Sequence, residues 1–199
     1  WTFQHLNPEV DITIGFSRWG LSVYYIHMYY FDYYADGSRS RFFDMRNHAP
    51  GGGGTTGEWR IKYRISDKVP FSILLATRTF GRDGYTDEEG NLHRAYSTYI
   101  ELGYDFILGE NWQLDARLGI TPAKSLYTAY QGNFAICHIG LNLQKSWTFP
   151  TNTNLSPTLT TFANIMLNPY QVTKHNLIHP IEQAGSQKLN LNIGCQVAL

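Results

Sequence analysis

From Lys188 to the end of the chain, apolar and polar residues alternate without a break. Leu189, Leu191, Ile193, Cys195, Val197 and Leu199 hold one set of positions; Lys188, Asn190, Asn192, Gly194, Gln196 and Ala198 hold the other. Successive side chains of a β-strand point to opposite sides, so a period of two gives one apolar face and one polar or small face. The same period recurs upstream. Val10, Ile12, Ile14 and Phe16 alternate with Asp11, Thr13, Gly15 and Ser17. Trp59, Ile61, Tyr63 and Ile65 alternate with Glu58, Arg60, Lys62 and Arg64, and Trp112, Leu114, Ala116, Leu118 and Ile120 with Gln113, Asp115, Arg117 and Gly119. Further strands are expected near 21–33, 70–80, 95–108, 134–146 and 155–167, making nine. In 21–33 aromatics fall on both faces (Tyr24, Tyr25, Tyr29, Tyr30), which leaves its orientation open.

The connections are sorted by length. Short links fall at Arg18–Gly20, Asp67–Val69 and Gly109–Glu110, with a moderate one at Thr148–Asn154; long links fall at about 34–57, 81–94, 121–133 and 168–186. Tight turns at one end and long loops at the other are the pattern of a transmembrane barrel, with periplasmic turns and outer loops. The strand at 9–17 ends at a short turn and the last strand follows a long loop, so both descend toward the periplasm. Nine strands break the even count of a single-chain bacterial barrel. The expectation is a closed antiparallel up-and-down transmembrane β-barrel with 9–10 strands visible and 10–12 in the full chain. Residues 1–199 would form one outer-membrane domain; either Trp1–Asn7 is the tail of another strand or, the favoured reading, one or more N-terminal strands are missing. The sequence opens at Trp1 without Met, a basic n-region or an apolar h-region, so any signal peptide is expected to have been removed already.

Which face meets lipid follows from charge. The polar faces expected to line the lumen carry Glu58, Arg60, Lys62, Arg64, Glu101, Asp105, Asp115 and Arg117, joined by His138, Asn142, Lys188, Asn190 and Asn192. In a dry core, unpaired ions cost several kcal/mol each. They belong in water or in an aqueous lumen, whereas a spanning sheet needs an apolar exterior and must close on itself. The residues expected to face lipid are Trp59, Ile61, Tyr63, Ile65, Leu114, Leu118, Leu189, Leu191, Ile193 and Val197. Aromatics at strand ends (Trp19, Trp59, Trp112, Trp147, Tyr104, Phe106) suit interfacial girdles. Composition agrees: 15% aromatic, but 16% charged against about 25% in an average soluble domain. No stretch reaches the ~18 apolar residues of a membrane helix. Zero net charge gives no reason to expect nucleic acid as a partner.

Specific motifs support the same placement. Arg94-Ala-Tyr-Ser-Thr-Tyr-Ile-Glu-Leu-Gly-Tyr-Asp-Phe106, Leu118-Gly-Ile-Thr-Pro122, Phe134-Ala-Ile-Cys137 and Ile165-Met-Leu-Asn-Pro169 resemble a family of Bacteroidota outer-membrane barrels grouped with TorF-like porins. The resemblance runs from about Glu9 to the C-terminus, through strand and turn signatures and no catalytic set. It implies residence in the outer membrane of a Gram-negative bacterium, with further strands before Glu9-Val-Asp-Ile-Thr-Ile14. The chain ends in Leu199, where many outer-membrane barrels end in an aromatic residue.

Several constellations carry competing readings. Arg60, Lys62 and Arg64 form either an anion-selective wall or part of an ion-pair network that plugs a narrow barrel. Asp83, Asp87, Glu88 and Glu89 lack EF-hand spacing and read as a solvated acidic loop. His93 and Ser97 on one extended strand would stand ~13 Å apart, too far for proton transfer, and His5, His27, His48, His175 and His179 are scattered, so no enzyme is expected. Cys137 and Cys195 read as small apolar residues on lipid-facing sides, with no metal-ligand spacing. The Gly51–Gly54 run lacks the Lys-Ser/Thr that a phosphate loop needs, and His175 to Gly185 reads as a short helix or ordered loop. No cofactor is expected. Outer-membrane lipid is the expected partner, with other outer-membrane proteins as candidates through the aromatic- and Arg-bearing loop from Tyr34 to Gly57. Three functions remain open: passage of small polar solutes, a non-conducting structural or accessory subunit, and a soluble β-sandwich binding module.

Overall fold

A computed structural model describes residues 9–31, 33–34, 37–48, 53–130, 132–149, 157–169 and 189–198. They form strands β1 (Glu9–Arg18), β2 (Leu21–Tyr30), β3 (Thr55–Arg64), β4 (Phe71–Gly81), β5 (Gly84–Thr86), β6 (Leu92–Arg94), β7 (Thr98–Ile107), β8 (Trp112–Thr121), β9 (Ala135–Thr148), β10 (Thr158–Leu167) and β11 (Leu189–Ala198). One 3-10 turn, Leu126–Thr128, precedes β9. Nine strands make one antiparallel sheet in the order β1-β2-β3-β4-β7-β8-β9-β10-β11. β5 and β6 pair separately as a hairpin within the loop between β4 and β7.

The nine expected strands and the sorted loop lengths correspond to this sheet. Closure differs: β1 and β11 are its two edges, and no ladder joins them among the described residues. In an up-and-down order of nine strands β1 and β11 run in the same direction, so the two edges could pair with each other only as a parallel ladder. Residues 1–8 and 170–188, which include Lys188, His175 and Pro180, lie outside the described set, as does Leu199.

The register places each alternating pattern on a common side. Opposite Arg60 stand Tyr24 on β2 and Ala76 on β4; Ala76 pairs with Tyr99, Leu74 with Glu101, and Ser72 with Gly103. Gly103 then pairs with Arg117, Asp105 with Asp115, Asp115 with Asn142, Asn142 with Asn164 and Asn164 with Asn192. Because side chains of directly paired residues share a face, one polar face crosses all nine strands. The other face carries the apolar set, and the ambiguity of β2 resolves with it: Tyr25 and Tyr29 lie on the apolar side, Tyr24 and Tyr30 on the polar side.

Burial is inverted relative to a water-soluble domain. Among the described residues the buried hydrophobic side chains are Met28, Ala76 and Ala135, whereas Glu58, Asp105, Asp115, Asp83, Ser97, Thr55, Thr56 and Thr121 are buried. Ile14, Ile61, Leu75, Leu141, Ile165 and Ile193 stand exposed on the other side, Ile193 to 78%.

Candidate functional site

The candidate site is the polar face. It is built by strand alternation, and its charges are held by one another. Asp105 on β7 lies between two guanidinium groups: Arg117 Nη2 donates to it at 2.6 Å, and Arg64 Nη1 donates to its other oxygen. Arg117 also lies 3.9 Å from Glu101, whose Oε2 accepts the Tyr99 hydroxyl at 2.8 Å. Glu58, 2% exposed, accepts Arg60 Nε at 2.5 Å and has Arg78 Nε at 3.8 Å. Among the described residues Asp115 has no cation paired with it. It accepts amide protons from Gln113 at 2.5 Å, Gln144 at 3.0 Å and Asn142 at 3.2 Å. Charge-assisted bonds of this kind are the strong ones at a half-buried surface. Lys62 remains exposed, and His138 lies over Gly140 on the same face. Asn190 and Asn192 continue this face onto the edge strand β11.

Two departures from strict alternation shape the site. A register shift at Gly57/Glu58 brings Phe80 over Gly57, where a Cβ would meet the ring at 2.2 Å. A second shift makes Cys137 the extra residue of a bulge, since Gly119 pairs with His138 and Ile120 with Ile136. The Cys137 thiol reaches the Gly119 carbonyl at 3.5 Å and lies in electrostatic range of Tyr99 and Tyr127, away from the apolar side expected for it. A bulge reverses the side on which its extra residue falls, and a period of two cannot reveal it.

The apolar face holds Trp59, Ile61, Tyr63, Leu189, Leu191, Ile193 and Val197, all exposed, with Leu114 and Leu118 half-buried. Ile65, expected within β3, lies one residue beyond its end and is also exposed. Among the described strands the Lys and Arg side chains on this face are Arg18 and Lys145. Each sits at the short-turn end over tryptophan: Arg18 is 3.9 Å from the Trp19 ring, and Lys145 is 4.8 Å from Trp112 and 5.0 Å from Trp147.

The loop ends carry three polar nodes. Asp44, expected only as part of a long loop, is buried and takes Arg46 at 2.8 and 2.7 Å, His48 at 3.0 Å and the Tyr34 hydroxyl at 2.6 Å; the Arg46 guanidinium above all holds its carboxyl well below the usual range. In the β5–β6 hairpin, His93 at 2.7 Å and the backbone N–H groups of Asn91 and Glu89 hold Asp87 at about 2. Its signal was readable: Asp87 and the left-handed Gly90 bracket a tight turn between Tyr85 and Leu92. Asp83 corrects the reading of a solvated acidic loop. It is 1% exposed, away from Glu88 and Glu89, and bound to Ser97; burial pushes its carboxyl above the ordinary range. His93 and Ser97 likewise do not share a strand: His93 is in β6, and the left-handed Tyr96 breaks the chain before β7.

No protein-family model, curated protein or solved structure matches the chain.

Proposed function

We propose that this chain is the greater part of a bacterial outer-membrane β-barrel of the TorF-like kind, whose sheet is closed by further strand and whose polar face lines a passage for small polar solutes. The observation that carries this reading is the inverted burial. A sheet with Ile14, Ile61, Leu141 and Ile193 outward and Glu58, Asp105 and Asp115 covered would be unstable as a water-soluble domain. In a bilayer the outward set faces hydrocarbon and every backbone group of a closed sheet is satisfied. Arg18 and Lys145, each over tryptophan at the turn end, suit the interface, where long cationic side chains reach the headgroups.

The test is extraction followed by reconstitution. The protein should need detergent to leave the membrane fraction, migrate differently before and after boiling, and give discrete conductance in planar bilayers. Charge reversal at Arg60, Lys62 and Arg64 should shift its ion preference. Release by salt or carbonate alone would overturn the membrane reading, and folded protein without conductance would overturn passage.

A second reading, a non-conducting structural subunit, is favoured by the near-complete pairing of Glu58, Glu101 and Asp105 with arginines. It is also favoured by exposed Phe43 and Met45 on a loop held by Asp44. Pull-down of a stoichiometric outer-membrane partner together with a silent bilayer would select it.

A further inference from the structure

A second buried carboxylate ties three loop stretches together at the loop end of the sheet. Asp83 follows β4, Ser97 precedes β7, and Leu126 to Tyr130 lie between β8 and β9. Asp83 Oδ2 accepts the Ser97 backbone N–H at 2.7 Å; its Oδ1 accepts the Ser97 hydroxyl and, at 3.4 Å, the Tyr130 hydroxyl. The Ser97 oxygen in turn accepts the Leu126 N–H at 2.8 Å, and the Asp83 carbonyl accepts the Ala95 N–H at 2.9 Å. Ser125, fully buried, is hydrogen-bonded to the Thr121 hydroxyl at 2.9 Å and accepts the Tyr130 N–H on its carbonyl at 2.7 Å. Three separate stretches of chain therefore meet at one carboxylate.

Backbone strain collects at the same place. Tyr96, Ala129 and Tyr130 adopt left-handed φ values of 49°, 48° and 61°, a conformation that side chains with a Cβ hold only where surroundings over-determine it. The strained tie has an evident product. It brings the Tyr127 ring to 5.2 Å from Tyr99, which lies on the polar face over Gly119. Glu58, Arg78 and Arg60 act on the Tyr127 hydroxyl, and burial pushes that phenol up to about 12, so it remains an uncharged donor among the lining charges.

We propose that Leu126–Tyr130 is a constriction laid across the polar face and that Asp83 is the clasp holding it there, a proposal that rests on reading that face as a solute passage. Releasing the clasp would let Tyr127 leave Tyr99 and widen the route beside Glu58 and Glu101. The solutes admitted by the clasped form would be those small enough to pass two phenol rings.

The test uses the full chain in planar bilayers, with Asp83→Ala releasing the clasp and Tyr127→Ala removing the obstruction. Both should raise single-channel conductance about twofold or more while heat-modifiable mobility is kept. Should Asp83→Ala not fold, Ser97→Ala removes the hydroxyl that links Asp83 to Leu126. A wild-type channel that both variants leave unchanged overturns the clasp and leaves the passage standing. Silence from all forms overturns the passage. A second readout then judges the clasp alone: a Glu101→Cys probe, in a background with Cys137→Ser and Cys195→Ser, reacts with a charged thiol reagent. Asp83→Ala should speed its labelling about tenfold; equal rates overturn the clasp whatever the conductance.

Discussion

Replacing Leu141 by arginine asks what the apolar face touches. Leu141 is 46% exposed, with Ala116 and Ile165 opposite it on the neighbouring strands. Trp147 lies further along β9, toward the short turns. The six residue steps from Leu141 to Trp147 span about 20 Å at ~3.4 Å per residue. At a strand tilt of ~40° this is about 15 Å along the membrane normal, half of the ~30 Å hydrocarbon core. On the proposed membrane reading Leu141 falls near the bilayer centre, where arginine on the lipid face costs about 2–4 kcal/mol, roughly a 30- to 900-fold shift toward the unfolded state. Leu159, paired with Trp147 on the same face, lies at interface depth, where the same change costs about 0–1 kcal/mol. Lys145 already occupies that level between two tryptophans. Reversible guanidinium unfolding in phospholipid vesicles, followed by tryptophan fluorescence, measures both variants. If Leu141→Arg stays within about 0.5 kcal/mol of wild type, as surface changes in water do, or matches Leu159→Arg, the face does not meet hydrocarbon.

Other perturbations probe the polar side and the loops. Arg117→Ala leaves Asp105 with Arg64 alone and Glu101 without its guanidinium; unfolding in vesicles should show a loss of roughly 1–3 kcal/mol, and no loss would mean that water already screens the pair. Asp87 should titrate at about 2 by carboxyl NMR in detergent micelles, and His93→Ala should move it up toward the ordinary value. Because its folded value is depressed, the pair supports the hairpin above the usual carboxylate range and is lost as pH falls toward about 2; an unmoved titration in the variant would sink this pairing. At Gly81, φ is +84° and a Cβ would meet the Thr55 carbonyl at 2.0 Å. Gly81→Ala should cost about 1–3 kcal/mol in the same unfolding assay, and an unchanged midpoint would refute the close approach.

The strands were legible because a half-covered sheet leaves a strong trace: the alternation at Leu189–Val197 and at Trp59–Arg64 fixes both strand and side. The polar face was legible for the same reason, since Glu58, Arg60, Asp105, Asp115 and Arg117 hold alternate positions. The clasp was not. Asp83 reads as part of an acidic loop and Ser97 as part of a strand in sequence, and their burial depends on a tertiary arrangement that places them against Leu126. Tyr127 gave no sign either, because a lone tyrosine in a loop has no period to read. The two bulges escaped because each changes parity by one residue without changing composition.

Every ladder in the large sheet joins strands that are neighbours in sequence, apart from the short hairpin bridged by β4 and β7. Such pairings close small loops and can form early. If the sheet closes as proposed, joining β1 to β11 brings together the two most distant parts of the chain, so that step would come last and slowest. Until then two unpaired strand edges invite pairing with foreign chains. On that reading, β1 and β11 are where misassembly of a nascent molecule would begin.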